Sequence, residues 1–146
     1  MTILLDTNIV SEVLRPVHRA TPEVLNWLNE LESDDVRLCR ISDAELRYGH
    51  YAHPDSGQRK RLRQGWGRMR GEIVMLEFDT GAVDAAAQFR AMRKKAGRPV
   101  FFADAAIAGI ALTNDCALAT RNTKDFEGSD LILINPFEPF PGGISP

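Results

Sequence analysis

Residues 102–119 read FADAAIAGIALTNDCALA. From Phe102 to Thr113 the side chains are almost all small and apolar. A surface helix shows a polar face, and this segment has almost none, so it reads as a helix covered on every side. It runs into Cys116–Ala119, a short apolar stretch of strand length. A buried helix feeding a buried strand points to a sheet with helices on both faces. The alternation continues outward. Thr2–Leu5, Val36–Ile41, Glu72–Phe78 and Leu131–Ile134 read as further strands. Helices are expected from about Asn8 to Leu14, stopped by Arg15-Pro16, and from Thr21-Pro22-Glu23, with Thr21 as N-cap and Pro22 in the first turn. Ser42-Asp43-Ala44-Glu45 reads as a capping box opening a helix through Tyr51. Residues 54–60 read as a turn before a basic helix from about Gln58 to Met69, weakened by Gly65 and Gly67. A last helix runs from Asp79 or Thr80 to Lys95, with Gly97 just past its end. The sum is an α/β fold around a mostly parallel sheet of five strands.

A chain of 146 residues, 44% apolar and 26% charged, is one globular domain. No apolar run approaches the roughly 18 residues of a membrane span. Asp6 interrupts the apolar start and no basic region precedes it, so no signal peptide is expected. Cys39 and Cys116 lie inside apolar segments and read as buried free thiols in a reducing compartment. Residues 1–137 form the expected domain. Residues 138–146 belong to an extended Pro/Gly-rich tail. The net charge of −2 does not announce a polyanion partner, but its distribution is uneven. Residues 59–70 hold six basic residues and no acid, and Arg90, Arg93, Lys94, Lys95 and Arg98 follow. Such stretches are either solvated helix faces or the footprint of a nucleic acid.

In an open parallel sheet, ligands bind beyond the carboxyl ends of the strands, where strand order reverses. Asp6 ends the first strand and is either a helix cap or a ligand at that rim. Asp104 opens the apolar helix, where an unpaired charge costs several kcal/mol. It is either an N-cap or the partner of a metal or base. Glu45 either closes the Ser42 capping box or faces the same rim as Asp6. Asp125 follows the fourth strand in the run TRNTKDF. Four carboxylates in one pocket repel one another unless their pKa values rise or a divalent cation neutralises them. Oxygen donors without nearby His or Cys select Mg²⁺ or Mn²⁺, and such an ion suits phosphodiester hydrolysis. His50 and His53 read as a surface pair. Trp66 either stacks on a base or packs into the domain.

LLDTNIVSEVLRP at 4–16, ISDAELRYG at 41–49 and FADAAIAGIALTNDCALATRNTKDF at 102–126 resemble VapC-type toxins, which are PIN-domain ribonucleases. The variant LLDTN-x-x-SE-x-x-RP is similar to the FitB-like branch. The resemblance implies a PIN-like fold and a cytoplasmic toxin of a type II toxin–antitoxin system. It implies a Mg²⁺-dependent endoribonuclease, with Mn²⁺ as a substitute, neutralised by a VapB-type antitoxin. Asp6 and Asp104 match the direct metal ligands, Glu45 completes the acidic triad, and Thr120 matches a hydroxyl near the metal. Either Asn122 or Asp125 stands where the family places a fourth acid. A homodimer is implied, within a larger assembly that reaches operator DNA through the antitoxin. Two other readings use the same residues. One is a HAD-like or receiver-like phosphoryl-transfer protein with Asp6 as nucleophile; the other is a catalytically silent PIN-like module that binds RNA or protein.

Overall fold

A computed structural model describes residues 1–138; the expected tail lies, apart from Glu138, outside the described residues. Five strands form one sheet: β1 (Ile3–Leu5), β2 (Val36–Cys39), β3 (Val74–Leu76), β4 (Ala117–Ala119) and β5 (Leu133–Ile134). Their order across the sheet is β3-β2-β1-β4-β5, and every neighbouring pair is parallel. The chain steps outward from β1 to β3, then returns to place β4 on the other side of β1. The strand order therefore reverses between β1 and β4, and a crevice opens beyond their carboxyl ends.

Side chains alternate along each strand, so the sheet feeds two cores. Ile3 and Leu5 point into one, with Ile9, Val24, Trp27 and Trp66. This core is roofed by α1 (Thr7–Leu14), α2 (Pro22–Asn29) and α4 (Ser56–Glu72). Leu4 and Leu118 point into the other, with Phe89, Ile107, Ile110 and Phe126, under α5 (Thr80–Lys95) and α6 (Phe102–Thr113). Residues 105–111 of α6 are all buried, as its composition demands. α5 and α6 cross at Gly109, where an added Cβ would lie 2.4 Å from the Ala82 carbonyl oxygen and 2.7 Å from the Ala86 nitrogen. Among the described residues no helix is long and apolar enough to cross a membrane.

The strands are shorter than expected, β5 by two residues, and three boundaries differ for local reasons. The third helix, α3 (Arg40–Ala52), starts directly on the end of β2 with Cys39 at the cap position. Ser42 is thus inside the helix and forms no capping box. α4 begins at Ser56, because Asp55 accepts from the Gln58 backbone N–H at 2.8 Å and converts the expected turn into a cap. Gly65 and Gly67 do not interrupt α4, which continues to Glu72 and shortens β3 to three residues. Buried packing of Trp66 holds it against the low intrinsic propensity of those glycines. Thr21 does precede α2, without a side-chain capping bond.

Candidate active site at the strand crossover

Asp6 sits where β1 becomes α1. It is the N-cap of α1 and accepts from the Thr7 backbone N–H at 2.8 Å, while its own N–H donates to Ala119 of β4 at 2.9 Å. The two roles left open for it are compatible: one carboxylate oxygen serves the cap and the other faces the crevice. That second oxygen accepts from the Thr120 hydroxyl at 2.7 Å and the Asn8 amide at 3.3 Å. Thr120 in turn accepts from the Asn122 backbone N–H at 3.1 Å. Burial raises the Asp6 pKa, the Thr120 bond opposes this, and the charge of Glu45 adds to the rise.

Glu45, free of any capping box, reaches the crevice from the first turns of α3. Its Oε1 accepts from the Thr7 hydroxyl at 2.7 Å. The Thr7 and Ser42 hydroxyls are hydrogen-bonded at 2.9 Å, which ties α1 to α3 beside the acids.

Asp104 arrives from the opposite core. Phe101 holds the cap position of α6, so Asp104 lies in the first turn and is not the N-cap. It is half-buried and makes no side-chain hydrogen bond or ion pair among the described residues. Its pKa is raised to about 6, first by burial, then by the charges of Asp6, Asp125 and Glu45. Residues 98 positions apart are thus electrostatic neighbours. Asp125, in a short 3-10 turn at Thr123–Phe126, belongs to the group, whereas Asn122 is exposed and contributes its backbone N–H.

Among the described residues no three Asp, Glu, His or Cys side chains already form a closed ligand set. Asp6 and Glu45 are engaged by hydroxyl and amide donors. The donor set is nevertheless all oxygen, and Asp104 lacks any compensating group. That chemistry fits a hard divalent cation.

Several singled-out residues have other roles. Trp66 is fully buried and donates its indole N–H to Asp43 at 2.8 Å, so it packs and does not stack on a base. His50 is 5% exposed, which corrects the surface-pair reading. It faces inward from α3, and burial, with Arg63, Arg47 and Arg70 nearby, lowers its pKa. Arg93 is likewise buried and donates to the Glu127 carbonyl, which removes it from the expected basic surface. Cys39 and Cys116 are buried and unpaired.

Asp43 is a residue whose importance the sequence did not signal beyond its place in an apparent cap. Its carboxylate accepts from Trp66, from Arg47 at 2.8 Å and from Arg40 at 3.0 Å, and Arg40 also grips Glu77 beside β3. Burial pushes the Asp43 pKa up, but these three donors hold it below the usual range. Asp43→Ala strands the indole N–H and is expected to cost about 2 kcal/mol in urea unfolding at pH 7. Because the folded pKa is depressed, this contribution is present at neutral pH and fades as the pH falls below the ordinary carboxylate range.

A five-stranded parallel sheet with a carboxylate cluster at its crossover defines a class of α/β proteins with an acidic crevice where the strand order reverses. Residues 3–128 match the PIN domain, and the chain belongs to the PIN-domain family. It is 36% identical over 145 residues to the VapC ribonuclease Y4jK of Sinorhizobium fredii, covering 94% of this chain and 99% of that protein. It is 36% identical over 141 residues to Toxin FitB of Neisseria gonorrhoeae, covering 92% and 98%. The solved structure of FitAB bound to the IR36 DNA fragment superposes with a TM-score of 0.81 at 33% identity, covering 94% of this chain and 96% of that one.

Proposed function

We propose that the chain is the toxin of a type II toxin–antitoxin pair and cuts RNA at the carboxylate cluster with the help of Mg²⁺, for which Mn²⁺ substitutes. The observation that carries this reading is Asp104, half-buried, without a donor, and opposed by three other carboxylates. In our reading Asp6 and Asp104 hold the ion directly, Glu45 completes the triad and Asp125 is the fourth acid. When bound, the ion supplies positive charge against the phosphate and favours water as the attacking group. The chain's own residues do the rest. Thr120 and Asn8 fix the orientation of Asp6, and Thr7 fixes Glu45, so the acids are organised before substrate arrives.

The likeness to FitB and Y4jK supports the toxin and ribonuclease parts of the reading. A VapB-type antitoxin is the inhibitor, with FitAB as the precedent for a two-protein assembly on DNA. The toxin acts as a homodimer in the cytoplasm. The aspartyl-phosphate alternative is not favoured: residue 8 is Asn, and Asp6 is already engaged by three donors.

The test is a cleavage assay on purified chain with cellular RNA. Mg²⁺ is expected to support cutting, EDTA to stop it, and Mn²⁺ to restore it. Under the same conditions Mg²⁺ or Mn²⁺ should raise the melting temperature of the wild type and leave Asp104→Asn unmoved. Cleavage that persists in EDTA would refute the metal; no cleavage with either ion would leave the silent-module reading.

A further inference from the structure

Next to the acids, a groove of about 700 Å³ runs between α1, α3 and α4. That is within the range of about 300–1,000 Å³ typical of pockets that enclose a ligand. Thr7 and Glu45 line it, so the groove is continuous with the carboxylate cluster. Leu14, Leu46 and Leu62 give it apolar surface, and Arg15, Arg19 and Arg61 stand along it.

The three guanidinium groups are placed differently. Arg19 is exposed and has no carboxylate partner among the described residues. Arg61 is fixed in position, donating to the Leu14 carbonyl and, at 2.8 Å, to the Gln58 side chain, again with no acid beside it. Arg15 shares the buried Glu12 at 3.4 Å but is itself half exposed. Among the described residues Glu45, at the cluster end, is the one acid lining the groove. Three other residues of the basic stretch are elsewhere: Arg59, Lys60 and Arg63 line a smaller cleft, shared with His50, that includes none of the four acids.

We propose that this groove holds the single-stranded RNA flanking the cut, with Arg15, Arg19 and Arg61 taking its phosphates and the leucines lying against its bases. The inference rests on the RNA-cutting reading and adds the path of the strand. Charge decides the occupant. A strand whose phosphate sits among four carboxylates is repelled there, and cations in the adjoining channel offset that repulsion. A cationic groove tracks the backbone of a single strand without reading its sequence, and here the leucines offer apolar surface to the unpaired bases.

The test needs no metal and is therefore independent of cleavage. Binding of a short fluorescein-labelled single-stranded RNA to the full chain is followed by anisotropy in EDTA across a KCl series. For single strands the log–log salt slope changes by about 0.7 for each phosphate contact. Arg19→Gln and Arg61→Gln are each expected to flatten the slope by about that amount, and the double variant by about twice it. Arg90→Gln, on α5, is the control and should leave the slope unchanged. Arg61 props the end of α1, so the exposed Arg19 is the variant that keeps its fold. An unchanged slope in Arg19→Gln overturns the proposal. An unchanged slope together with lost binding of the cognate antitoxin assigns the groove to that protein and overturns it equally. A flattened slope in the variants, together with a wild type that cuts no RNA, keeps the groove and sinks the nuclease reading instead.

Discussion

Asp104→Asn is expected to abolish RNA cleavage and, in the same protein, to raise the stability of the metal-free chain. The two effects share one cause. The carboxylate is half-buried, receives no hydrogen bond, and is opposed by Asp6, Asp125 and Glu45. An amide of the same shape removes that repulsion and also removes the charge that would hold a cation. Loss of several kcal/mol of transition-state stabilisation corresponds to a rate loss of about a hundred- to a thousandfold. The stability gain has a pH signature. A carboxyl whose pKa is raised on folding binds its proton more tightly in the folded state, so the wild type loses stability as the pH rises from the ordinary value of 3.8 to about 6. In EDTA the variant should therefore melt above the wild type at about pH 7, and the gap should narrow as the pH falls below about 6 and close only near the ordinary carboxylate value of 3.8. The comparison must be a difference between the two proteins, because His50 pulls the other way. Its depressed pKa makes the folded state lose stability as the pH drops. Equal melting temperatures at neutral pH would show that Asp104 is not under electrostatic stress. Asp6→Asn makes a contrast. Its oxygens accept from Thr7, Thr120 and Asn8, so an amide places a donor against donors. That variant should lose cleavage and also about 1–3 kcal/mol of stability.

Gly109→Ala is expected to be the most damaging single-methyl change in the second core. The new Cβ would meet backbone atoms of Ala82 and Ala86 at 2.4 and 2.7 Å, and backbone cannot swing aside as a side chain can. The helices must part. Overpacking of this kind costs about 1–3 kcal/mol and sometimes more, and alanine's better helix propensity returns at most about 1 kcal/mol. Gly109→Val adds bulk to the same contact and should prevent the folded protein from accumulating. The alanine variant should melt roughly 5–10 °C lower, following the usual scaling for a domain of this size. It should also lose cleavage, since α6 carries Asp104 in its first turn and would be displaced with it. An alanine variant with wild-type melting would mean that α5 and α6 have slack at their crossing.

The strands and the buried helix were legible because apolar runs bounded by polar residues leave few alternatives for Ile3–Leu5 or for residues 102–113. Proximity of the four acids was not legible from spacing alone. It depends on β4 lying beside β1, a pairing between segments more than a hundred residues apart. The errors have physical sources too. Ser42 looks like a cap from its neighbours, yet β2 turns into α3 without a loop, so Ser42 is already helical and its hydroxyl joins Thr7. His50 looks solvated beside Tyr51 and His53, but its turn of α3 points inward. Trp66 sits among arginines in sequence and among apolar side chains in space, because consecutive helical residues face different directions.

The pairing of β1 with β4 also bears on when the chain becomes dangerous. Asp6 is made long before Asp104, which opposes it, and Thr120, which orients it. A product that stops before β4 lacks the centre. The hazard is switched on only when β4 has paired with β1.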